Sequence, residues 1–446
     1  MSATDAAPMR TGSATLLTLA SQIVQLGAGT ITAVLVARLF GPSGKGVVSL
    51  VMLSTSLGIT FGGLGVSMYN GCVAGRGDHT RGALRANSLT CAVLGTAGVT
   101  VVVLSLWLGG ALSASAGQIL WTLAVIPMGL LWRNLAGIFQ GQGRFVEFNV
   151  LPLVLWAVAS VTTAVLGLTL GGVNTALAAW WLAHAATATA AWMMTRDPRR
   201  MIGSQRTIPL IDLALLRTAL EFGLAVWCVQ LIGESNLRFD TYVAALAGGA
   251  AGAGYYSVAA SIAALLFHVP VAIGVGVLPR LATATREEAA RLAGAGCRIS
   301  LWSSAALSLV VALLARPLVH LLFGSGFDPA VAPLVTLLPG MAAYALAHVT
   351  TSYFYAQLGR PMLNGVVALV SLVIGLVASA VLAPPFGLVG VAAAVSLGRV
   401  VAIIVNVWLF TRLSGCPLID VLLPRPSDLS LMLQPLQRLW PNAKPA

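Results

Sequence analysis

Residues 388–411 read Leu-Val-Gly-Val-Ala-Ala-Ala-Val-Ser-Leu-Gly-Arg-Val-Val-Ala-Ile-Ile-Val-Asn-Val-Trp-Leu-Phe-Thr, with Arg399 the one charge among them. A helix needs roughly 20 mostly apolar residues to cross a hydrocarbon core. The stretch therefore reads as a membrane span that carries a cation near its middle. A charge at that depth costs at least about 2.5–3.5 kcal/mol, so one that stays there faces a partner or a water-filled cavity. The pattern recurs along the chain. Of 446 residues only 9% are charged while 58% are hydrophobic, where a soluble domain carries about 25% charged residues. Blocks long enough to cross fall near 14–37, 46–70, 83–108, 118–140, 149–170, 173–195, 213–247, 255–279, 298–323, 331–358, 362–383 and 388–411. The expected fold is an all-α integral membrane protein with about twelve transmembrane helices.

The net charge of +12 is distributed as a membrane protein distributes it. With the N-terminus inside, the inner connections hold Arg76, Arg81, Arg85, Arg144, Arg196, Arg199, Arg200, Arg206, Arg280, Arg286, Arg291 and Arg360. The tail adds Arg412, Arg425, Arg438 and Lys444, whereas the outer side keeps Arg38, Lys45 and Arg316. This is the positive-inside bias, and it places both termini in the cytosol. It also argues against nucleic acid as a partner. Arg38 and Lys45 are read as snorkelling residues or contacts to lipid phosphate. The five cysteines show neither a metal-ligand spacing nor a disulfide framework, so no metal and no cofactor is expected. The first apolar run is too long for the core of a cleavable signal peptide.

Two halves are related. Phe139 and Tyr355 each precede a Gly-Arg pair by four positions, Gly143-Arg144 and Gly359-Arg360, at an offset of 216. The same offset carries Gly171, Val173 and Ala176 onto Gly387, Val389 and Ala392. At an offset of 207, Val36-Ala37, Leu39 and Gly41 match Val243-Ala244, Leu246 and Gly248. Six spans per half make both halves start on the same side, so the repeats are parallel about the membrane normal, with the transport site between them. The expected organisation is a cytosolic N-terminus (1–13), a six-helix lobe (14–195), a basic linker (196–212), a second six-helix lobe (213–411) and an interfacial tail (412–446).

The stretch Ala37-Arg38-Leu39-Phe40-Gly41-Pro42-Ser43-Gly44-Lys45-Gly46 resembles the Ala-Arg-x-Leu-Gly-Pro-x-x-x-Gly signature of bacterial polysaccharide transporters. These are the oligosaccharide (Wzx-like) flippases of the multidrug/oligosaccharidyl-lipid/polysaccharide exporter superfamily. Glu221-Phe222-Gly223-Leu224, Asn236-Leu237-Arg238-Phe239-Asp240 and Gly254-Tyr255-Tyr256-Ser257-Val258-Ala259 add to the resemblance, as do Leu321-Leu322-Phe323-Gly324 and Leu337-Leu338-Pro339-Gly340. It implies a two-lobed carrier in the bacterial cytoplasmic membrane that flips a polyprenyl-pyrophosphate-linked oligosaccharide to the outer leaflet for cell-surface polysaccharide synthesis. Partners would be membrane lipids, the polymerase and glycosyltransferases. The twelve-span count favours this family over the lipid II flippases, which typically have fourteen.

Such a cargo sets the residue types to look for. Two phosphates must cross hydrocarbon, and a guanidinium presents them with a fork of N–H donors. Arg133 has Gly129 and Gly137 four residues either side, read as leaving room around it, with Gln140 on the same helical face. Arg399 lies mid-span, with Ser396 and Asn406 extending a polar stripe. His348, near the position related to Arg133 in the repeat, is a further cavity candidate. Glu234 and Arg238 stand four apart, as do Asn236 and Asp240. Glu234, Arg238 and Asp240 are therefore either internal ion pairs or carriers of a coupling ion, H⁺ or Na⁺. Pro127 in the fourth span and Pro339-Gly340 in the tenth are hinge candidates. The seventh span is long enough to require a tilt, a break near Gly233 or a solvated extension.

No nucleophile–base set and no phosphate-binding loop for a nucleotide is present, so the chain is not expected to be an enzyme. A multidrug exporter of the same superfamily is the alternative, and its cationic substrates would want acidic cavities. An integral-membrane polymerase or acyltransferase fits poorly, since the outward loops are short.

Overall fold

The computed structural model describes residues 11–425 apart from 78, 111–113, 197–211, 269, 272, 275–280, 282 and 361. Arg199, Arg200, Arg206, Arg280, Arg438 and Lys444, most of the basic linker and the end of the tail lie outside the described residues. Among the described residues every regular element is a helix. The chain divides into two compact units, Met1–Ser235 and Asn236–Ala446. The described residues of the seventh span up to Ser235 group with the first unit.

The first unit contains α1 (Thr11–Gly63), α2 (Val66–Arg76), α3 (Arg81–Leu108), α4 (Ala116–Gly141), α5 (Phe145–Thr169), α6 (Val173–Met194) and the start of α7 (Leu213–Ala264). The second holds the rest of α7, α8 (Arg286–Phe323), α9 (Val331–Ala356), α10 (Met362–Ser414) and the short α11 (Leu418–Leu422).

Three of these helices are hairpins. In α1 the helix is interrupted at Gly41 (φ 66°), and a Cβ on Gly44 would stand 2.5 Å from that of Phe40. A continuing helix keeps residues four apart at about 5–6 Å, so the chain reverses. In α7 the break is at Gly248-Gly249, and in α10 at Gly387 (φ 54°). A Cβ on Gly252 would lie 2.8 Å from the Ala244 carbonyl, and one on Gly390 would lie 2.0 Å from that of Leu382. Eight residues of continuous helix span about 12 Å. Glycine takes a left-handed turn without the cost of roughly 1–2 kcal/mol that a Cβ imposes. Pro42 then opens the second leg of α1, where its fixed φ suits a first helical position.

Among the described residues eight helices are long and apolar enough to cross a membrane. Three of them are hairpins, so their legs make eleven candidate crossings, while α6, 22 residues long, is less apolar and is not among the eight. The expected fold class holds. The leg of α7 from Leu213 runs unbroken through Gly233 to the turn at Gly248, so no break there shortens it. Instead its first turns are solvated: the Arg217–Glu221 pair, 2.7 Å apart, is 82% and 63% exposed.

The offset-216 glycine matches share a positive φ, whereas at offset 207 Gly41 has φ 66° and Gly248 has φ −140°. Gly143 and Gly359 both have positive φ (69° and 58°), as do Gly171 and Gly387 (67° and 54°). Arg144 N–H donates to the Phe139 carbonyl at 2.9 Å and Arg360 N–H to that of Phe354 at 3.0 Å. The first is the closing bond of a left-handed helix C-cap; the second reaches one residue farther back. What repeats is the chemistry of helix ends.

Backbone contact between α2 and α4 organises the first unit. A Cβ on Gly137 would lie 2.0 Å from the Ser67 carbonyl, and one on Gly141 would lie 2.0 Å from that of Gly71. This small-residue packing lets membrane helices associate through dispersion where lipid offers no hydrophobic drive. The buried Asn70 fastens the same group: its amide donates to Ser88 Oγ and to the Asn134 carbonyl, both at 2.9 Å. In the second unit α9 and α10 are joined likewise. Ser396 Oγ donates to the Thr336 carbonyl at 2.7 Å, Thr350 Oγ1 to Asn406 Oδ1 at 2.7 Å, and a Cβ on Gly340 would meet Ser396 Cα at 2.5 Å.

Candidate functional site

In the second unit, four separate segments bring chemistry to one place at membrane depth. The second leg of α10 supplies Arg399, 5% exposed, whose Nη1 donates to Met341 Sδ of α9 at 2.9 Å. A thioether is a weak acceptor, so this contact leaves most of the guanidinium's five donors for other partners. Arg399 also lies over the Phe267 ring, 5.9 Å from its centroid. Phe267 packs edge-on against Tyr344 (5.8 Å) and His348 (5.4 Å) of α9. His348 Nε2 is buried with no hydrogen-bond partner among the described residues.

Asp240, in the first leg of α7, is 3% exposed. Its Oδ1 accepts from Thr241 N–H at 2.7 Å and its Oδ2 from the Tyr256 hydroxyl at 3.2 Å. Arg399 and Arg238 are the cations that act on it electrostatically. The spacing suggests Asn236 as its partner, but the donors bonded to it are Thr241 and Tyr256, and Asn236 Oδ1 is separately buried with no hydrogen-bond partner among the described residues. In the helix the Asp240 carboxylate finds nearer donors in its own next residue and across the hairpin, in Tyr256.

Of the residues singled out from sequence, Arg399, His348 and Asp240 are thus drawn into one cluster. Ser396 and Asn406 lie on the same helix but serve as its fastening to α9. Asn406 is fully buried; its Oδ1 is bonded to Thr350, while its Nδ2 has no hydrogen-bond partner among the described residues. Gly340 is consumed by the close approach of Ser396, one residue beyond Pro339.

In the first unit, Arg133 and Gln140 are exposed on α4, one face away from the buried Asn134. The glycines flanking Arg133 leave it no room. A Cβ on Gly129 would lie 2.1 Å from Ile59 Cδ1, and Gly137 is filled by the Ser67 backbone. Both glycine positions on its face are filled by neighbours, and Arg133 itself is exposed. Pro127 lies two residues before Gly129 in an uninterrupted α4. Glu234 is half-buried and accepts a long 3.5 Å bond from Ser56 Oγ. Lys45, read as a snorkelling residue, is instead buried at 6% exposure.

Sequence reasoning missed Tyr256, Phe267, Met341 and Tyr344 as parts of the cluster. Tyr344 stands four residues before His348, hence on its face, which was a readable signal. The approach of Phe267 and Tyr256 depends on the α7 hairpin and left none.

Three comparisons bear on this geometry. A family model described as lipid II flippase MurJ matches residues 88–421. Among solved structures, an inward-facing multidrug resistance MATE family transporter of the MOP superfamily is 17% identical with a TM-score of 0.73, covering 90% of this chain and 98% of its own. The lipid II flippase MurJ in an inward closed conformation is 13% identical with a TM-score of 0.73, covering 97% and 94%. A MOP superfamily transporter from Pyrococcus furiosus, described by a binding pocket of reverse polarity, is 16% identical with a TM-score of 0.63, covering 90% and 94%. Identities this low establish the fold. No curated protein matches the chain. The expected span count therefore does not set this chain apart from the lipid II flippases, since the matched region covers about three quarters of its length. The chain belongs to the MurJ lipid II flippase family.

Proposed function

We propose that this chain is a transporter, not an enzyme, that moves a polyprenyl-pyrophosphate-linked saccharide from the cytosolic to the outer leaflet by alternating access. Arg399 is the observation that carries the reading: a guanidinium buried at membrane depth, with a sulfur as its hydrogen-bond partner, suits an anionic headgroup. A cationic drug fits less well, because the acid in the same cluster, Asp240, already has Tyr256, Thr241 and two arginines around it. The family match favours a peptidoglycan precursor as the cargo. A second reading, an oligosaccharide for cell-surface polysaccharide, is favoured by the Ala37–Gly46 stretch, with the polymerase and glycosyltransferases as partners. Complementation separates the two. Restored growth after depletion of a host's own lipid II flippase supports the first. Restored surface polysaccharide in a strain lacking its oligosaccharide flippase supports the second, and rescue of neither contradicts both.

On this reading Asp240 takes up the coupling ion, H⁺ or Na⁺, because a buried carboxylate beside two cations changes its contacts when its charge is neutralised. Asp240→Asn is then expected to leave downhill cargo movement largely intact while removing its acceleration by an imposed H⁺ or Na⁺ gradient. Equal stimulation of variant and wild type would assign coupling elsewhere.

The arginine asymmetry places the N-terminus, linker and tail in the cytosol. A cysteine engineered near Arg200 should resist an impermeant thiol reagent in intact cells and react after permeabilisation. Labelling without permeabilisation would reverse the orientation.

A further inference from the structure

The second leg of α1 begins at Pro42 and presents an unpartnered cation in its first turn. Lys45 is 6% exposed, whereas Arg38, one turn before the reversal, is exposed as a snorkelling residue is. Among the described residues Lys45 makes no hydrogen bond or ion pair, and no charged side chain acts on it. Its burial is by protein. A Cβ on Gly44 would stand 3.1 Å from Val173, and one on Gly167 would stand 3.2 Å from Phe40, so the turn is lodged against the junction of α5 and α6.

Side chains on a helix lean toward its N-terminus, which carries the Lys45 stem back over the turn from Pro42 to Lys45. That turn holds the unsatisfied N–H groups and the positive end of the helix dipole, about half an elementary charge. An ammonium there repels its own helix end. Two positive features converge without a carboxylate, which is the electrostatic demand an anion satisfies. Farther along the leg, the buried Ser49 and then Ser56 continue a polar face.

We propose that Lys45 and the first turn of this leg form a binding site for a phosphate or diphosphate group at the arginine-poor end of the first unit. Arg38 is the other cation at that end. The occupant is the diphosphate of the cargo on its way out, which rests on the reading of the cargo as a polyprenyl pyrophosphate. Lys45 is then a contact of the departing headgroup, separate from Arg399 in the second unit.

The sequence supplies a clean probe, because Lys45 and Lys444 are the only lysines. Purified protein is treated with limiting acetic anhydride, and acetylation at each lysine is read by peptide mass spectrometry. Millimolar inorganic pyrophosphate is expected to slow acetylation of Lys45 about fivefold or more while leaving Lys444 unchanged. Equal rates at Lys45 with and without pyrophosphate overturn the site. Protection by phosphatidylglycerol vesicles over phosphatidylcholine ones, with none by pyrophosphate, makes it a phospholipid headgroup site and overturns the cargo assignment. In reconstituted vesicles Lys45→Met should slow cargo movement about tenfold, and Lys45→Arg should recover part of it. Unimpaired movement by Lys45→Met overturns the inference and leaves the proposed function standing. Pyrophosphate protection in a wild-type protein that moves no polyprenyl-pyrophosphate cargo has the opposite meaning: the anion site stands and the proposed function fails.

Discussion

Arg399→Ala is expected to reduce cargo movement about 10- to 100-fold, the loss that follows from removing a charged hydrogen bond of about 1.5–3 kcal/mol. The effect should fall on movement, with abundance in the membrane kept. Arg399→Lys should recover only part of the rate, because an ammonium retains the charge and loses the two-pronged fork. Removing the guanidinium also strips a cation from the buried Asp240, and an uncompensated buried charge destabilises by itself. The double variant Arg399→Ala/Asp240→Asn removes that penalty. It should restore any lost abundance and still move cargo slowly. If the double variant regains the rate as well as the abundance, Arg399 is a structural partner of Asp240 and contacts no cargo.

Gly137→Ala and Gly141→Ala, combined, are expected to cost more stability than any other pair of single-methyl additions in the first unit. Each new methyl would sit 2.0 Å from a carbonyl of α2, and relief requires the two backbones to separate. Overpacking typically costs about 1–3 kcal/mol per site, and here separation also stretches the Asn70 bonds to Ser88 and Asn134. The thermal midpoint of the purified double variant should fall by several degrees, with reduced yield. Gly143→Ala, where no atom lies near the new methyl and only the positive φ resists, should cost less. Equal midpoints for the Gly137/Gly141 variant and wild type would contradict the close approach of α2 and α4.

Much of the architecture was legible because a bilayer constrains sequence more tightly than water does. Runs such as 388–411 can be only helices that cross, and the glycine matches at Gly41, Gly143, Gly171, Gly359 and Gly387 marked helix ends through their backbone demands. Arg399, His348 and Asp240 stood out in the sequence for the same reason, each a polar group where polarity is costly, and the fold brings them into one cluster. Periodicity failed where it had to choose between neighbours. It placed Arg133 among Gly129 and Gly137 as if the glycines made space, although a glycine in a membrane helix is as readily filled by another backbone. It paired Asn236 with Asp240, blind to the hairpin that brings Tyr256 over. It gave Ser396 to a cavity, although a buried hydroxyl is satisfied as well by a neighbouring carbonyl. Lys45 was assigned to the surface from loop position, and its burial follows from how the α1 turn seats against α5 and α6.

The most direct test is transbilayer movement by the purified chain in vesicles containing a fluorescent polyprenyl-pyrophosphate-linked saccharide. Loss of accessibility to an external quencher is followed with and without an imposed ion gradient. The expected result is movement well above that of protein-free vesicles, accelerated by the gradient and lost in Arg399→Ala. Movement no faster than in protein-free vesicles, together with gradient-driven uptake of an organic cation by the same preparation, would contradict it.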